Sequence, residues 1–207
     1  VPEFLRGQSF VIVRGCYSGP AEQGDELLKH WRTWQTPIID DFKAMPFSQV
    51  ATISNDPLDP MPAQSSGAWL KDISDETVDI LIRYAVPRNG PPLLAFAEVR
   101  HAGGAISRVD PQSAAYGNRD AQHILQVIGG APTPEVHAAV RQHISQLKRA
   151  LTPHLHGGVY LNFLEGSEAR ESTRAGFSPE TYQRLQALKA KYDPKNLFSH
   201  SYDISLR

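Results

Sequence analysis

The chain has 207 residues, 41% of them hydrophobic and 21% charged, with a formal net charge of −1 and one cysteine. That composition supports a packed core, and the near-neutral charge without a Lys/Arg cluster excludes the basic footprint of a nucleic-acid binder. One cysteine excludes an internal disulfide, and no apolar run approaches the roughly 18 residues of a membrane-crossing helix.

The chain opens on Val1 with "VPEFLRG", lacking an initiator methionine, a signal-peptide pattern and a polar leader. It reads as the start of a segment inside a longer protein, at a linker. A soluble protein is expected; the sequence is silent on the compartment, the cytoplasm being one that fits.

In chain order, "SFVIVRGCY" (9–17) is β-branched and predicts a central strand, with Cys16 a small buried hydrophobe in preference to an activated thiol. Leu27, Leu28, Trp31 and Trp34 form the stripe of a helix over about 20–35, with Pro20 suited to its first turn. Residues 37–53 predict a short strand and a short Pro-initiated helix, 55–62 a Pro-rich loop, and "AQSSGAWLK" (63–71) a strand. Ser74 predicts a helix cap, with Asp75 and Glu76 in the first turn and Val78, Leu81, Ile82 and Ala85 as the buried stripe.

"PLLAFAEVRH" (92–101), "GGAISRV" (103–109) and "AQHILQVIG" (121–129) predict three strands, the first two forming a hairpin. Thr133–Pro134–Glu135 starts a long helix with Val136, Val140, Ile144, Leu147 and Leu151 in register. "GGVYLNFLEG" (157–166) predicts a strand with Val159, Leu161 and Phe163 on one face and Tyr160 and Asn162 on the other. Ser178–Pro179–Glu180 starts the last helix, whose inner face carries Tyr182, Leu185 and Leu188 and which ends near Asp193–Pro194. The order predicts an α+β fold: a largely antiparallel sheet with helices packed on one face.

Chemical motifs are sparse. There is no G-x-G-x-x-G turn, no Walker motif and no G-x-S-x-G. His154 and His156 in "PHLHGG" lack a third ligand at useful spacing, so no metal is predicted. Gly103 and Gly104 suit a phosphate loop or, equally, a tight turn. Tyr116, Asn118 and Arg119 in "AAYGNR" suit a pocket rim or a hydrogen-bonded loop. Tyr160 and Asn162 have the same two readings, since tyrosine is frequent in strands and asparagine satisfies backbone groups.

The order of four segments goes further. "FVIVRGCYSGPAEQGDELL", "FAEVRHAGGAISRVDPQSAAYGNRDAQHILQV", "GGVYLNFL" and "YQRLQALKAKYDPKNLF" together resemble the C-terminal half of berberine-bridge-enzyme-like FAD-linked oxidoreductases. The resemblance implies a substrate-binding, cap-like domain over 1–207, with the family motif at 158–204 and the FAD-binding domain of the same protein absent from this chain. It implies a small-molecule substrate, an alcohol or amine C–H oxidised by hydride transfer to FAD, and a fragment inactive by itself. Tyr160 would be a catalytic base, or assist one, and face the flavin together with Asn162. Tyr116, Asn118 and Arg119 would be structural or substrate-rim residues. Cys16 does not match the family's flavin-tethering cysteine.

Two departures stand out. A catalytic glutamate that some plant members carry after the glycine pair has no counterpart in "AISRV", and Asp203 in "HSYDI" stands where the family's tail has asparagine. The competing expectation is a stand-alone α+β ligand-binding or oligomerisation module without redox activity.

Overall fold

The computed structural model describes residues 3–54, 59–200 and 202–204, and residues 55–58 of the expected Pro-rich loop lie outside them. The chain divides into two compact units, Val1–Pro60 and Met61–Arg207.

The first unit holds helices α1 (Ala21–Trp34) and α2 (Ala51–Ser54) and no strand among its described residues. Arg32 ties α1 to the following segment, its Nε 2.6 Å from Asp40 Oδ2 and its Nη2 donating to Phe42 O at 3.3 Å. The strand expected at 9–17 does not form, and neither does the short one in 37–53. Strand preference is realised only through pairing and packing, and this run finds no ladder partner among the described residues. Val11 and Ile12 are accordingly 83% and 76% exposed, and Cys16 is exposed where a buried hydrophobe is expected.

The second unit is built on a three-stranded antiparallel sheet, β1 (Ala63–Leu70), β2 (Phe96–His101) and β3 (His123–Gly130), in the order β1-β3-β2. The register pairs Leu70 with His123, Ala68 with Leu125, and Val99 with Leu125 from the other side. Because side chains alternate, this puts Leu70, Leu125 and Val127 on one face and Trp69, Ile124 and Arg100 on the other. Helices α3 (Asp75–Ala85) and α4 (Pro134–Ala150) cover the first face, as the expected α+β arrangement requires.

α4 follows its sequence pattern. Thr133 caps it by accepting from Val136 N, Pro134 opens it, and Val140, Ile144, Leu147 and Leu151 are buried against Leu70, Leu125 and Val127. α3 is capped by Ser74 as expected, but its buried stripe is Thr77 and Ile80 with Leu81 and Tyr84 beside them, while Val78 and Ile82 are exposed. Thr77 tolerates burial because its hydroxyl lies 3.0 Å from Ser74 Oγ. Lys148 fastens α4 to β1, donating to Ser66 Oγ and Gly67 O at 3.2 and 2.9 Å, and pairs with Glu168 on α5 (Gly166–Ser172).

Two other expected strands are absent. Residues 103–109 form a turn in which Gly104 has φ +62°, so the glycine pair turns the chain and the 92–109 hairpin gives way to direct β2–β3 pairing. Residues 157–160 are irregular, and Leu161–Phe163 form a single 3-10 turn.

The last helix, α6 (Pro179–Tyr192), starts at Ser178, which accepts from Thr181 N. Tyr182 and Leu185 are half-buried; Leu188 is exposed instead of facing inward. Asp193 closes the helix. Its carboxylate pairs with Lys189 and accepts from Leu197 N at 2.7 Å and Phe198 N at 3.1 Å, while Asn196 adopts φ +50°. "KAKYDPKNLF" is therefore a helix stop built around one carboxylate.

Candidate functional site

Two loop segments meet beside the sheet face that α3 and α4 leave free. Asn118 is the hinge of the first: it takes the left-handed conformation (φ 57°), which asparagine tolerates better than most residues. Its Nδ2 donates to Val159 O at 3.4 Å and Ala175 O at 3.3 Å, and Ala121 N bonds back to Asn118 O at 3.2 Å. His156 and Asp120 add a second stitch, Nε2 to Oδ2 at 2.9 Å, which holds the Asp120 carboxyl below its ordinary range. Gly158 is required by this approach, since a Cβ there would stand 2.0 Å from Asn118 Oδ1. Asn118, expected as a structural or rim residue, is a clamp between the segments.

The 3-10 turn reorganises the faces expected of 157–166. Phe163 N bonds to Tyr160 O at 3.1 Å, and residues three apart in such a turn share a side. Phe163 therefore joins Tyr160, their rings edge-on at 4.8 Å, instead of joining Val159 and Leu161. Tyr160 also packs edge-on against Trp69 and tilted against Tyr116, each with ring centroids 6.0 Å away. Asn162 is exposed, and its Nδ2 donates to Tyr160 Oη at 2.9 Å. The phenol and the carboxamide do sit together, and it is the turn that brings them into contact.

Tyr116 and Arg119 complete the cluster. The Arg119 guanidinium lies 4.7 Å from the Tyr116 ring centre and its Nη1 donates to Ile106 O at 3.0 Å, anchoring the 103–109 turn. Burial pushes the Tyr116 phenol above its ordinary value, the charge of Tyr160 adds to this, and Arg119 opposes it.

Sequence reasoning passes over a polar strip on the same sheet face. Arg100 Nε donates to Glu98 Oε1 at 2.7 Å, its Nη2 reaches Gln126 Oε1 at 3.3 Å, and its guanidinium lies 5.0 Å from the Phe163 ring centre. The alternation in "FAEVRH" was the available signal: it places Glu98 and Arg100 on one face of β2.

Among the described residues, no group of three His, Cys, Asp or Glu is arranged to hold a metal. His154 stands 3.6 Å from Glu76 and His156 is committed to Asp120. Hollows on the surface of the second unit are lined by Asp79, Ile82 and Arg83 and by Arg170, Arg174 and Gln183; neither includes Tyr160 or Asn162. No helix among the described residues is long and apolar enough to cross a membrane.

Comparison with known proteins gives this arrangement a class. Residues 159–205, which begin one residue before Tyr160, match the family described as "Berberine and berberine like". An FAD-linked oxidoreductase of Dictyostelium discoideum is 21% identical over 196 residues, covering 94% of this chain and 42% of that protein. An uncharacterised FAD-linked oxidoreductase of Bacillus subtilis is 26% identical over 193 residues, covering 92% and 42%. The fold is also that of berberine bridge enzyme from Eschscholzia californica, with a TM-score of 0.74 at 13% identity over 91% of this chain and 44% of that one.

The chain is thus similar to berberine-bridge-enzyme-like FAD-linked oxidoreductases in sequence and in fold. It spans about two-fifths of the length of the curated relatives it matches.

Tyr160 and Asn162 offer an aromatic edge and polar groups at an accessible position, which suits the ring end of a flavin. Nothing among the described residues forms a glycine-rich strand-to-helix cradle for its phosphates. The fit is to the ring end alone.

Proposed function

We propose that this chain is the substrate-binding part of a flavin-dependent oxidoreductase that oxidises an alcohol or amine C–H, with FAD held mainly by an FAD-binding domain of the same protein. One observation carries the reading: the Tyr160–Asn162 pair, bonded at 2.9 Å, lies on the sheet face that α3 and α4 do not use.

Tyr160, with Asn162 bonded to it, would face the ring end of FAD and the reacting end of the substrate, with Tyr116 and Arg119 at the rim and Asn118 fixing the loops. FAD, when bound, supplies the hydride acceptor. The task left to the chain is the proton: Tyr160 takes it from the substrate's hydroxyl or amine. A free phenol ionises near pH 10, about three units above neutrality, so this role needs a partner that favours the charged oxygen. The 207 residues alone would neither retain FAD tightly nor turn over.

The test is Tyr160→Phe in the FAD-loaded protein under anaerobic conditions. Loss of a general base predicts flavin reduction slowed by about 10²-fold, with FAD still bound. An unchanged rate removes Tyr160 from the mechanism. A yellow, FAD-retaining preparation of the 207 residues alone would refute the assignment of FAD binding to another domain.

A further inference from the structure

The resemblance assigns Asn162 to the flavin, but the geometry gives its amide a different first partner. We propose that Asn162 is a positioning residue for Tyr160: its Nδ2–H is donated to the phenol oxygen, which turns the phenol's own proton away from Asn162 and stabilises that oxygen when it carries charge. The inference rests on Tyr160 being the base.

An amide nitrogen donates and does not accept, so the 2.9 Å contact has one polarity. A phenol hydroxyl prefers the plane of its ring, which leaves two directions for its hydrogen. With an N–H aimed at that oxygen, the hydroxyl hydrogen takes the direction that points away from Asn162. The two guanidiniums nearby lie over ring faces, Arg119 above Tyr116 and Arg100 above Phe163. Among the described residues, the side chain seen to donate to Tyr160 Oη is Asn162.

The turn makes the contact possible. Residues two apart on a strand share a face but lie nearly 7 Å apart along it. The 3-10 turn at Leu161–Phe163 shortens that span, and Phe163, buried against the sheet, pins its far end. A hydrogen bond to a charged oxygen is about twice as strong as one to a neutral oxygen. The bond from Asn162 therefore strengthens as charge develops on Tyr160 Oη during the reaction, and the gain appears in the rate more than in substrate binding.

Two measurements test this. In the 207-residue chain without flavin, ¹H–¹⁵N spectra should show the Asn162 side-chain amide shifting upfield on Tyr160→Phe; an unmoved signal overturns the contact. In the FAD-loaded protein, Asn162→Ala should slow flavin reduction about tenfold when Tyr160 is present and not at all in a Tyr160→Phe background. Asn162→Asp, equal in size but an acceptor where the donor stood, should lose at least as much as the alanine.

Equal losses in both backgrounds would return Asn162 to a direct cofactor contact and overturn the inference. A slow Tyr160→Phe beside an unaffected Asn162→Ala, or an Asn162→Asp as fast as the parent, overturns it alone. A Tyr160→Phe as fast as the parent overturns both this inference and the role given to Tyr160 above.

Discussion

The two faces of the β1-β3-β2 sheet are made by the same strands and do opposite things. On the helix side Leu70, Leu125 and Val127 meet Val140, Ile144, Leu147 and Leu151 in an aliphatic core. On the other side Trp69 and Ile124 meet Phe163, and the cover consists of loops carrying Tyr160, Tyr116, Arg119 and Asn162. Hydrophobic burial on the first face stabilises the domain without directional demands. The second face adds a smaller buried cluster of Trp69, Ala102, Ala121, Ile124 and Phe163, and beside it holds aromatic edges and polar groups at fixed distances. One strand serves both through its alternation: Leu70 is fully buried in the core, and its neighbour Trp69 is the floor of the candidate site.

This division predicts which substitutions cost stability and which disturb the site. Leu147 is fully buried on the inner face of α4, so Leu147→Ala should cost about 2–5 kcal/mol in urea unfolding while the molecules still folded keep the Tyr160–Asn162 contact in NMR spectra. If the contact disappears before the fold does, the faces are not independent. On the other face, Gly67→Ala would put a Cβ 2.9 Å from Phe163 Cβ and 3.0 Å from Leu125 O. Such overpacking should cost about 1–3 kcal/mol and shift the Phe163, Tyr160 and Asn162 signals together. An alanine accommodated with no change at Tyr160 would show that the turn is not seated on β1.

Asn118→Asp probes the clamp with a smaller effect. It keeps the shape but removes the donor to Val159 O and Ala175 O, for a loss of about 1 kcal/mol or slightly more. The Tyr116 and Tyr160 rings should move apart, seen as lost ring–ring cross-peaks. Unchanged cross-peaks would assign the clamp to the backbone and to His156–Asp120.

The sequence discloses those parts of the molecule whose causes are local. Ser74, Thr133 and Ser178 cap the helices they were expected to cap, and the α4 stripe from Val140 to Leu151 is buried as its spacing requires. Strands are another matter, because pairing decides them and pairing is not local. Residues 9–17, 103–109 and 157–166 all have strand-like composition, and none forms one. The α3 stripe is only partly legible for a related reason: Leu81 packs on the core as expected, but Thr77 reads as polar until Ser74 is placed beside its hydroxyl. In the site, the pairing of Tyr160 with Asn162 is visible from spacing, whereas the turn that puts them in contact is not. Asn118 shows its clamp role only when the carbonyls of residues 159 and 175 are in place, the latter 57 positions away.

The smallest effect belongs to the stop of α6. The Asp193 carboxyl is held below its ordinary range, first by Lys189 and then by the amides of Leu197 and Phe198, against the cost of desolvation. A carboxyl depressed in the folded state stabilises that state above its unfolded pKa, about 4, and the contribution fades as pH falls through the folded value. Acidification below about pH 4 should therefore move the Leu197 and Phe198 amide protons upfield as their acceptor is neutralised. Asp193→Asn should abolish that titration, because its side-chain amide carries no charge to lose. The buried amides of Leu125 and Val127 should not follow. If they titrate with Asp193, the stop of α6 is coupled to the helix-packed core, and the contrast between the two faces has to include this third region.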